Sequence, residues 1–353
     1  MTISSKIEPR DIIPEGWEES VIAPYMPKPG TSLPSRSIAV VGTYAEGLNI
    51  PGKVTGPLFF PIFDYVLRQF DARLCRYENA DEFVEADTSD FAGIVILIYK
   101  EALDDLDAVQ SAEDRILTKC PEALIVHAAR LGRTLGSKIA TNQLLSQVGV
   151  PVPRMIREPV CSQMVFSNHA HSTQQKVYLV RPGEPLDPDR YNTTYVDTTH
   201  RFNGTDYYVY LRVYAVGETQ VATYAGCRPT ADGDPSVHLS DALDPLAINY
   251  FNSYFTIPFQ AEIQNLCSRI GATLGLGFYV HDLLPCRETG RLFVTESGVK
   301  LNPGPAVRQK YWHLQSEIPP FAGFFSAEHV LRACYAFVYG AQRRGFLRGD
   351  ARP

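Results

Sequence analysis

The chain has 353 residues, 45% of them hydrophobic, and a formal net charge of −6. That length predicts two or three domains with substantial cores, and the acidic balance argues against a general nucleic-acid binder. No apolar run approaches the ~18 residues of a membrane span, and the start MTISSKIEPR lacks a signal-peptide pattern, so no membrane partner and a cytoplasmic location are expected.

In chain order, residues 1–35 are rich in proline and acidic residues and read as an arm. Residues 38–41 are a buried strand, and residues 58–70 an amphipathic helix behind Pro57. Residues 72–76 and 93–99 read as strands, 108–118 as a helix and 123–127 as a short apolar run. Strands alternating with helices predict a parallel sheet over residues 36 to 130. Residues 137–148 form an amphipathic helix stopped by Gly149, with Pro151 beyond. The texture then turns antiparallel. Residues 163–166 and 176–180 are strands, and residues 207–216 and 219–225 make a hairpin through Gly217-Glu218. Residues 259–274 are a helix, Phe278–Pro285 and 291–296 a second hairpin, and 327–339 a closing helix. The seven cysteines (Cys75, Cys120, Cys161, Cys227, Cys267, Cys286 and Cys334) include no CxxC pair and read as reduced structural thiols.

The second hairpin carries the strongest chemical signal. With its turn at Cys286–Gly290, Asp282 and Glu296 fall opposite each other on one face. Directly opposed residues have Cβ atoms ~5 Å apart, so the two carboxylates need a cation between them. A divalent metal is the simplest one. The loop 297–304, with Lys300 and Asn302, follows Glu296.

Four other segments have two readings each. Gly47-Leu-Asn-Ile-Pro-Gly-Lys53 matches the start of a phosphate-binding loop, but Val54 stands where Ser or Thr is required, which favours a surface loop. Lys138, one residue after a capping Ser137, is unfavourable against the helix dipole unless an anion lies nearby; the alternative is a solvated lysine. On the strand 207–216, Tyr208, Tyr210, Arg212 and Tyr214 share a face, and Arg228 lies on the partner strand. Arginine forks suit phosphate or carboxylate groups, or else pair with a structural acid. His169-Ala-His171 could be a zinc pair but reads better as a polar loop, having no third ligand at motif spacing.

The order of these pieces resembles the ATP-grasp superfamily. GSKIATNQLLSQVGVPVPRM (136–155) looks like its opening helix with a G-[IV]-P-x-P exit, residues 277–304 like its metal hairpin, and YLRVYAVGETQVATYAGCR like its paired phosphate-contacting strands. Residues 36–130 fit the α/β domain preceding it in carboxylate–amine ligases. The resemblance implies an α/β parallel-sheet domain followed by an α+β ATP-grasp fold. The expected division is an arm (1–35), an α/β domain (36–135) and an ATP-grasp domain (136–345) with subdomains 136–205 and 206–345.

It further implies ATP and Mg2+ as cofactors. Lys138 would contact phosphate, and Tyr195, Val196 and Asp197 would lie near the adenine. Asp282 and Glu296 would bind the metal, and Arg212 and Arg228 would stabilise the transferred phosphoryl. Lys300, Asn302 and Arg308 would dock a small-molecule or short-peptide substrate. The implied reaction activates a carboxylate as acyl-phosphate and joins it to an amine; a small-molecule kinase and a non-catalytic nucleotide binder are the alternatives. A homodimer is among the states the resemblance allows. Three departures from the pattern stand out: Val165-Phe-Ser-Asn168 replaces V-K-P, residues 169–175 contain no glycine, and Glu296-Ser297-Gly298 replaces E-x-N.

Overall fold

A computed structural model describes residues 22–28, 30–43, 59–99, 105–158, 163–168, 177–233, 244–299 and 327–347. The chain divides into two compact units. The first contains residues 1–99, 107–127 and 300–353, the second residues 100–106 and 128–299.

The first unit is built on four parallel strands, β1 (Arg36–Gly42), β2 (Ala72–Tyr77), β3 (Phe91–Ile98) and β4 (Leu124–Val126), in the order β2-β1-β3-β4. Strands β1 and β3 read as unbroken apolar runs, as strands covered on both faces do; Ile38, Val40, Val41, Ile94, Val95 and Ile96 are fully buried. The helices are α1 (Phe59–Arg68), α2 (Ala80–Glu85) and α3 (Leu106–Lys119). Helix α2 was not expected from periodicity, because six residues are too few to show it. Its signal is polar: Asn79 Oδ1 accepts the Glu82 amide at 3.0 Å, and Glu82 Oε2 accepts the Glu78 amide at 2.5 Å.

The closing helix (Ala327–Arg343) follows the second unit in sequence. It belongs to the first unit and not to the second. Phe337 packs edge-on to Phe63 with centroids 5.3 Å apart, the Tyr335 hydroxyl donates to Gln69 Oε1 at 2.6 Å, and Arg36 Nη2 donates to the Phe346 carbonyl at 2.7 Å. The apolar face of α1 needs a cover, and chain order does not say which helix supplies it.

His329 lies buried in this helix, its pKa pushed down to about 3 by burial, with Arg332 adding to the effect. The unfolded chain takes up a proton at this histidine below about pH 6.5, whereas the folded chain refuses it until about pH 3. Stability therefore falls as pH drops through that window. We expect about 2–3 kcal/mol to be lost from this residue between pH 7 and pH 4.5. Urea unfolding of wild type and His329→Leu at both pH values checks this: the variant should lose less on acidification, and equal losses would refute it.

The second unit holds α4 (Ala129–Leu135), α5 (Lys138–Gln147), α6 (Pro245–Thr256) and α7 (Gln260–Leu274). It has two antiparallel sheets. The smaller is formed by β5 (Val165–Asn168), β6 (Val177–Val180) and β7 (Tyr191–Thr194) in the order β6-β5-β7. The larger contains β8 (Thr199–Phe202), β9 (Thr205–Val216), β10 (Thr219–Pro229), β11 (Phe278–Pro285) and β12 (Leu292–Val299), in the order β10-β9-β11-β12 with β8 beside β9. The fold class read from the sequence, a parallel α/β unit followed by an α+β unit, is the observed one.

Helix α6 is the largest element the periodicity reading passed over. Its start is nonetheless written in Asp244-Pro245: Asp244 Oδ1 accepts the Ala247 amide at 3.0 Å, and proline occupies the first turn. Its fully buried Asn252 accepts the Ala225 amide at 2.9 Å and donates to the Ala225 carbonyl at 3.1 Å, which ties the helix to β10. Among the described residues no helix is long and apolar enough to cross a membrane. Of the cysteines, Cys75, Cys120, Cys227, Cys267, Cys286 and Cys334 are free thiols; Cys161 lies outside the described residues.

Candidate active site

The hairpin β11–β12 sets Asp282 opposite Glu296, as expected. It is longer than expected. Pairing continues to Tyr279 opposite Val299, so Ser297, Gly298 and Val299 are strand and not the start of a loop. Beyond Glu296 the pairing is close: small Ser297 and Gly298 stand against His281 and Val280, and Val299 joins Tyr279 and Leu135 in a buried cluster. One extra residue, Thr295, enters between the Glu296 and Val294 pairings, making a bulge next to the carboxylates.

Strand β9 lies on the other side of β11 and places Arg212 opposite Asp282; β10 then places Tyr224 opposite Arg212. Four strands thus present Tyr224, Arg212, Asp282 and Glu296 in one row on one face. Arg212 Nε and Nη2 donate to Asp282 Oδ1 and Oδ2, each at 2.8 Å. The pair is largely withdrawn from solvent, with 16% and 8% of the two side chains exposed. Burial is the largest single effect on Arg212 and would lower its pKa, but the Asp282 carboxylate, with Tyr224 and Tyr210 adding, holds the guanidinium well above its usual value. Tyr224 is pushed up by burial, an effect Arg212 opposes. The Tyr210 ring lies beside Arg212, whose Cζ is 5.8 Å from the ring centroid. Gly226, opposite Tyr210, makes room for that ring, since a Cβ there would collide with it.

The row ends at Lys138 from α5, whose Nζ lies 3.6 Å from Glu296 Oε2. Ser137 caps the helix, accepting the Ala140 amide at 3.3 Å, so Lys138 sits in the first turn against the dipole. The anion that makes this position tolerable is Glu296. One turn further, Asn142 Nδ2 donates to the Tyr191 hydroxyl at 2.7 Å and to the Pro153 carbonyl at 2.8 Å. Residues four apart share a helix face. Helix α5 therefore reaches the large sheet through Lys138 and the small sheet through Asn142. Burial pushes the Tyr191 phenol up to about 12, with the Asn142 hydrogen bond opposing and Glu296 adding a smaller upward push. Asn142 and Tyr191 were not singled out in the sequence; the position of Asn142 at i+4 from Lys138 is the signal that could have found it.

Behind the carboxylates, on the opposite face, His281 Nδ1 and Ser297 Oγ share a hydrogen bond of 2.9 Å, and both residues are fully buried. Burial holds His281 down at about 4, so it stays neutral, with Asp282 opposing the shift.

The remaining predicted residues are placed less centrally. Arg228 shares the face of Arg212 but pairs with Tyr208. It stands four residues along β10 from Tyr224, about 13 Å away at strand rise. Tyr195, Val196 and Asp197 form the half-buried link from β7 to β8. Asp197 Oδ1 accepts the Thr199 amide at 2.9 Å and the Thr199 hydroxyl at 2.6 Å, and the Asp197 carbonyl accepts the Arg287 amide at 2.8 Å. Lys300, Asn302, Arg308, the loop 47–53 and His169-Ala-His171 lie outside the described residues.

The donor set decides what cation this row can hold. Among the described residues no group of three or more His, Cys, Asp or Glu side chains could hold a metal ion. The row's own charges, Lys138 and Arg212 against Asp282 and Glu296, sum to zero. Magnesium ordinarily takes one or two carboxylates and completes its shell with phosphate oxygens and water. Asp282 and Glu296 supply the two carboxylates such a shell would need, and each already faces a cation of the protein's own.

The sequence matches no protein-family model and no curated protein sequence. The chain is similar to ATP-grasp ligases of known structure. D-alanine–D-alanine ligase from Bacillus anthracis superposes with a TM-score of 0.47 at 9% identity, over 88% of this chain and 98% of the other. The ATP-grasp ligase PsnB complexed with minimal precursor gives 0.47 at 15% identity, over 86% and 99%. A RimK domain ATP-grasp protein from Sphaerobacter thermophilus gives 0.43 at 13% identity, over 85% and 99%.

Proposed function

We propose that the chain is a cytoplasmic ATP-dependent carboxylate–amine ligase. The observation that carries this reading is the meeting of Lys138 with Glu296 at 3.6 Å, beside the Arg212–Asp282 pair. Two segments far apart in sequence, each resembling one part of an ATP-grasp site, converge on one row of charges. Phosphoryl transfer asks a protein mainly for positioning and charge neutralisation, and this row supplies both.

In this reading the substrate carboxylate attacks the terminal phosphorus of ATP, ADP leaves, and an amine then displaces phosphate from the acyl carbon. Lys138 Nζ holds phosphate oxygens, while Arg212 and Arg228 offer guanidinium forks on the same sheet face. Tyr195, Val196 and Asp197 border the adenine. A magnesium ion on Asp282, Glu296 and phosphate would neutralise charge at the transferring group. Substrates are small acids or short peptides, and no side chain is assigned as base for the amine.

The test is ADP release with a panel of amino acids and short peptides, read by mass. An amide product is expected, and Lys138→Met should lower kcat/KM by roughly 10²–10³, the scale of losing one transition-state charge contact, while Lys53→Ala leaves it unchanged. A phosphorylated product would instead make the protein a kinase. ATP binding without turnover would favour a non-catalytic nucleotide binder, the second reading, which the engagement of both Asp282 oxygens by Arg212 supports.

A further inference from the structure

Asp282 is 6% exposed, and each of its carboxylate oxygens accepts a hydrogen bond from Arg212 at 2.8 Å. Glu296 faces Lys138 at 3.6 Å. A free divalent cation approaching this row meets no net negative charge. It also meets a carboxylate already matched by a planar fork, the geometry arginine fits best.

A polyphosphate changes that balance. Its oxygens are acceptors for the same guanidinium and ammonium groups, and it brings surplus negative charge. As Arg212 turns toward phosphate, Asp282 loses part of its partner and becomes available to a cation. We propose that Arg212 is the gate of the metal site: it occupies Asp282 until a nucleotide binds, so that nucleotide and divalent cation strengthen each other's binding. This rests on the ATP-dependent reading above. Arg212 acts here as a positioning residue, moving between carboxylate and phosphate. The coupling is reciprocal, as any equilibrium linkage must be.

The probes are Mn2+, followed by the electron paramagnetic resonance of the free ion, and the non-hydrolysable analogue AMP-PNP. They are applied to the full-length protein. Wild type alone should bind Mn2+ weakly, and Arg212→Met without nucleotide should bind it about 5- to 150-fold more tightly, the usual span of a site coupling. Equal Mn2+ affinity in the two proteins would overturn the proposal.

Because Arg212→Met leaves a buried carboxylate unpaired and could unfold, a wild-type readout stands beside it. The Arg212 side-chain Nε–H signal, assigned with Arg212→Lys, should stay unchanged with Mg2+ alone and shift when AMP-PNP is added with Mg2+. A shift with Mg2+ alone would also overturn the gate. Absence of any AMP-PNP binding would count against the ATP reading itself, and the Mn2+ comparison would still decide the role of Arg212.

Discussion

Asp282→Asn is expected to lower the unfolding stability of the second unit by about 3–5 kcal/mol, the cost of breaking a buried ion pair by removing one partner. The substitution keeps the shape of the side chain and removes its charge. Arg212 then remains buried with its guanidinium uncompensated, and the amide presents only one acceptor to a fork that now donates to two oxygens at 2.8 Å. An exposed pair would contribute ~0–1 kcal/mol, so the magnitude separates the two situations. The double variant Arg212→Met/Asp282→Leu should recover most of the loss, because replacing both partners with apolar groups of similar volume is often neutral. Urea unfolding of wild type, the single variant and the double variant closes the cycle. A single-variant loss below about 1 kcal/mol would show that solvent screens the pair.

Gly271→Ala sets two effects of opposite sign against each other. In a helix interior alanine is favoured over glycine by ~1 kcal/mol, so α7 by itself should gain. Tertiary packing opposes this. A Cβ on Gly271 would overlap the carbonyl of Gly217 and crowd the Glu218 amide, both backbone atoms of the tight turn between β9 and β10. Backbone cannot swing aside as the end of a side chain can. Gly217 is itself held at a φ of +52°, which limits how the turn can yield. Overpacking of this kind costs about 1–3 kcal/mol, so we expect net destabilisation and a lower thermal midpoint. Gln264, which donates to the Glu218 carbonyl at 2.9 Å, should be displaced along with the turn. An unchanged or raised midpoint would mean that α7 slides away from the turn at no cost.

The elements that were legible in the sequence are those whose pattern is local. Phe278–Pro285 appears with the expected bounds because apolar residues run up to a turn rich in polar residues and ending on Gly290. Strand β1 and helix α5 differ from expectation by one or two residues at their ends. Elements with weak local patterns were passed over. Tyr191–Thr194 and Thr199–Phe202 are four-residue strands, too short for an alternation to stand out. Helix α6 shows little polar contrast between its faces, since Leu246, Tyr250 and Tyr254 are exposed large hydrophobics.

The hairpin itself was legible in residues 278–299, because a strand alternates with period two and a turn sets the register across it. That register, carried on from the turn, would pair Asp282 with Thr295; the bulge at Thr295 shifts it so that Glu296 faces Asp282. What neutralises them comes from pairings between segments distant in the chain. Asp282 meets Arg212 because β9 pairs with β11, and Glu296 meets Lys138 because α5 packs beside β12. Those pairings join segments distant in the chain, whose contacts are selected by burial of whole faces rather than by local spacing. The demand for a cation could be read from two carboxylates. That the fold answers it first with its own arginine and lysine depends on long-range pairing, which no local pattern records.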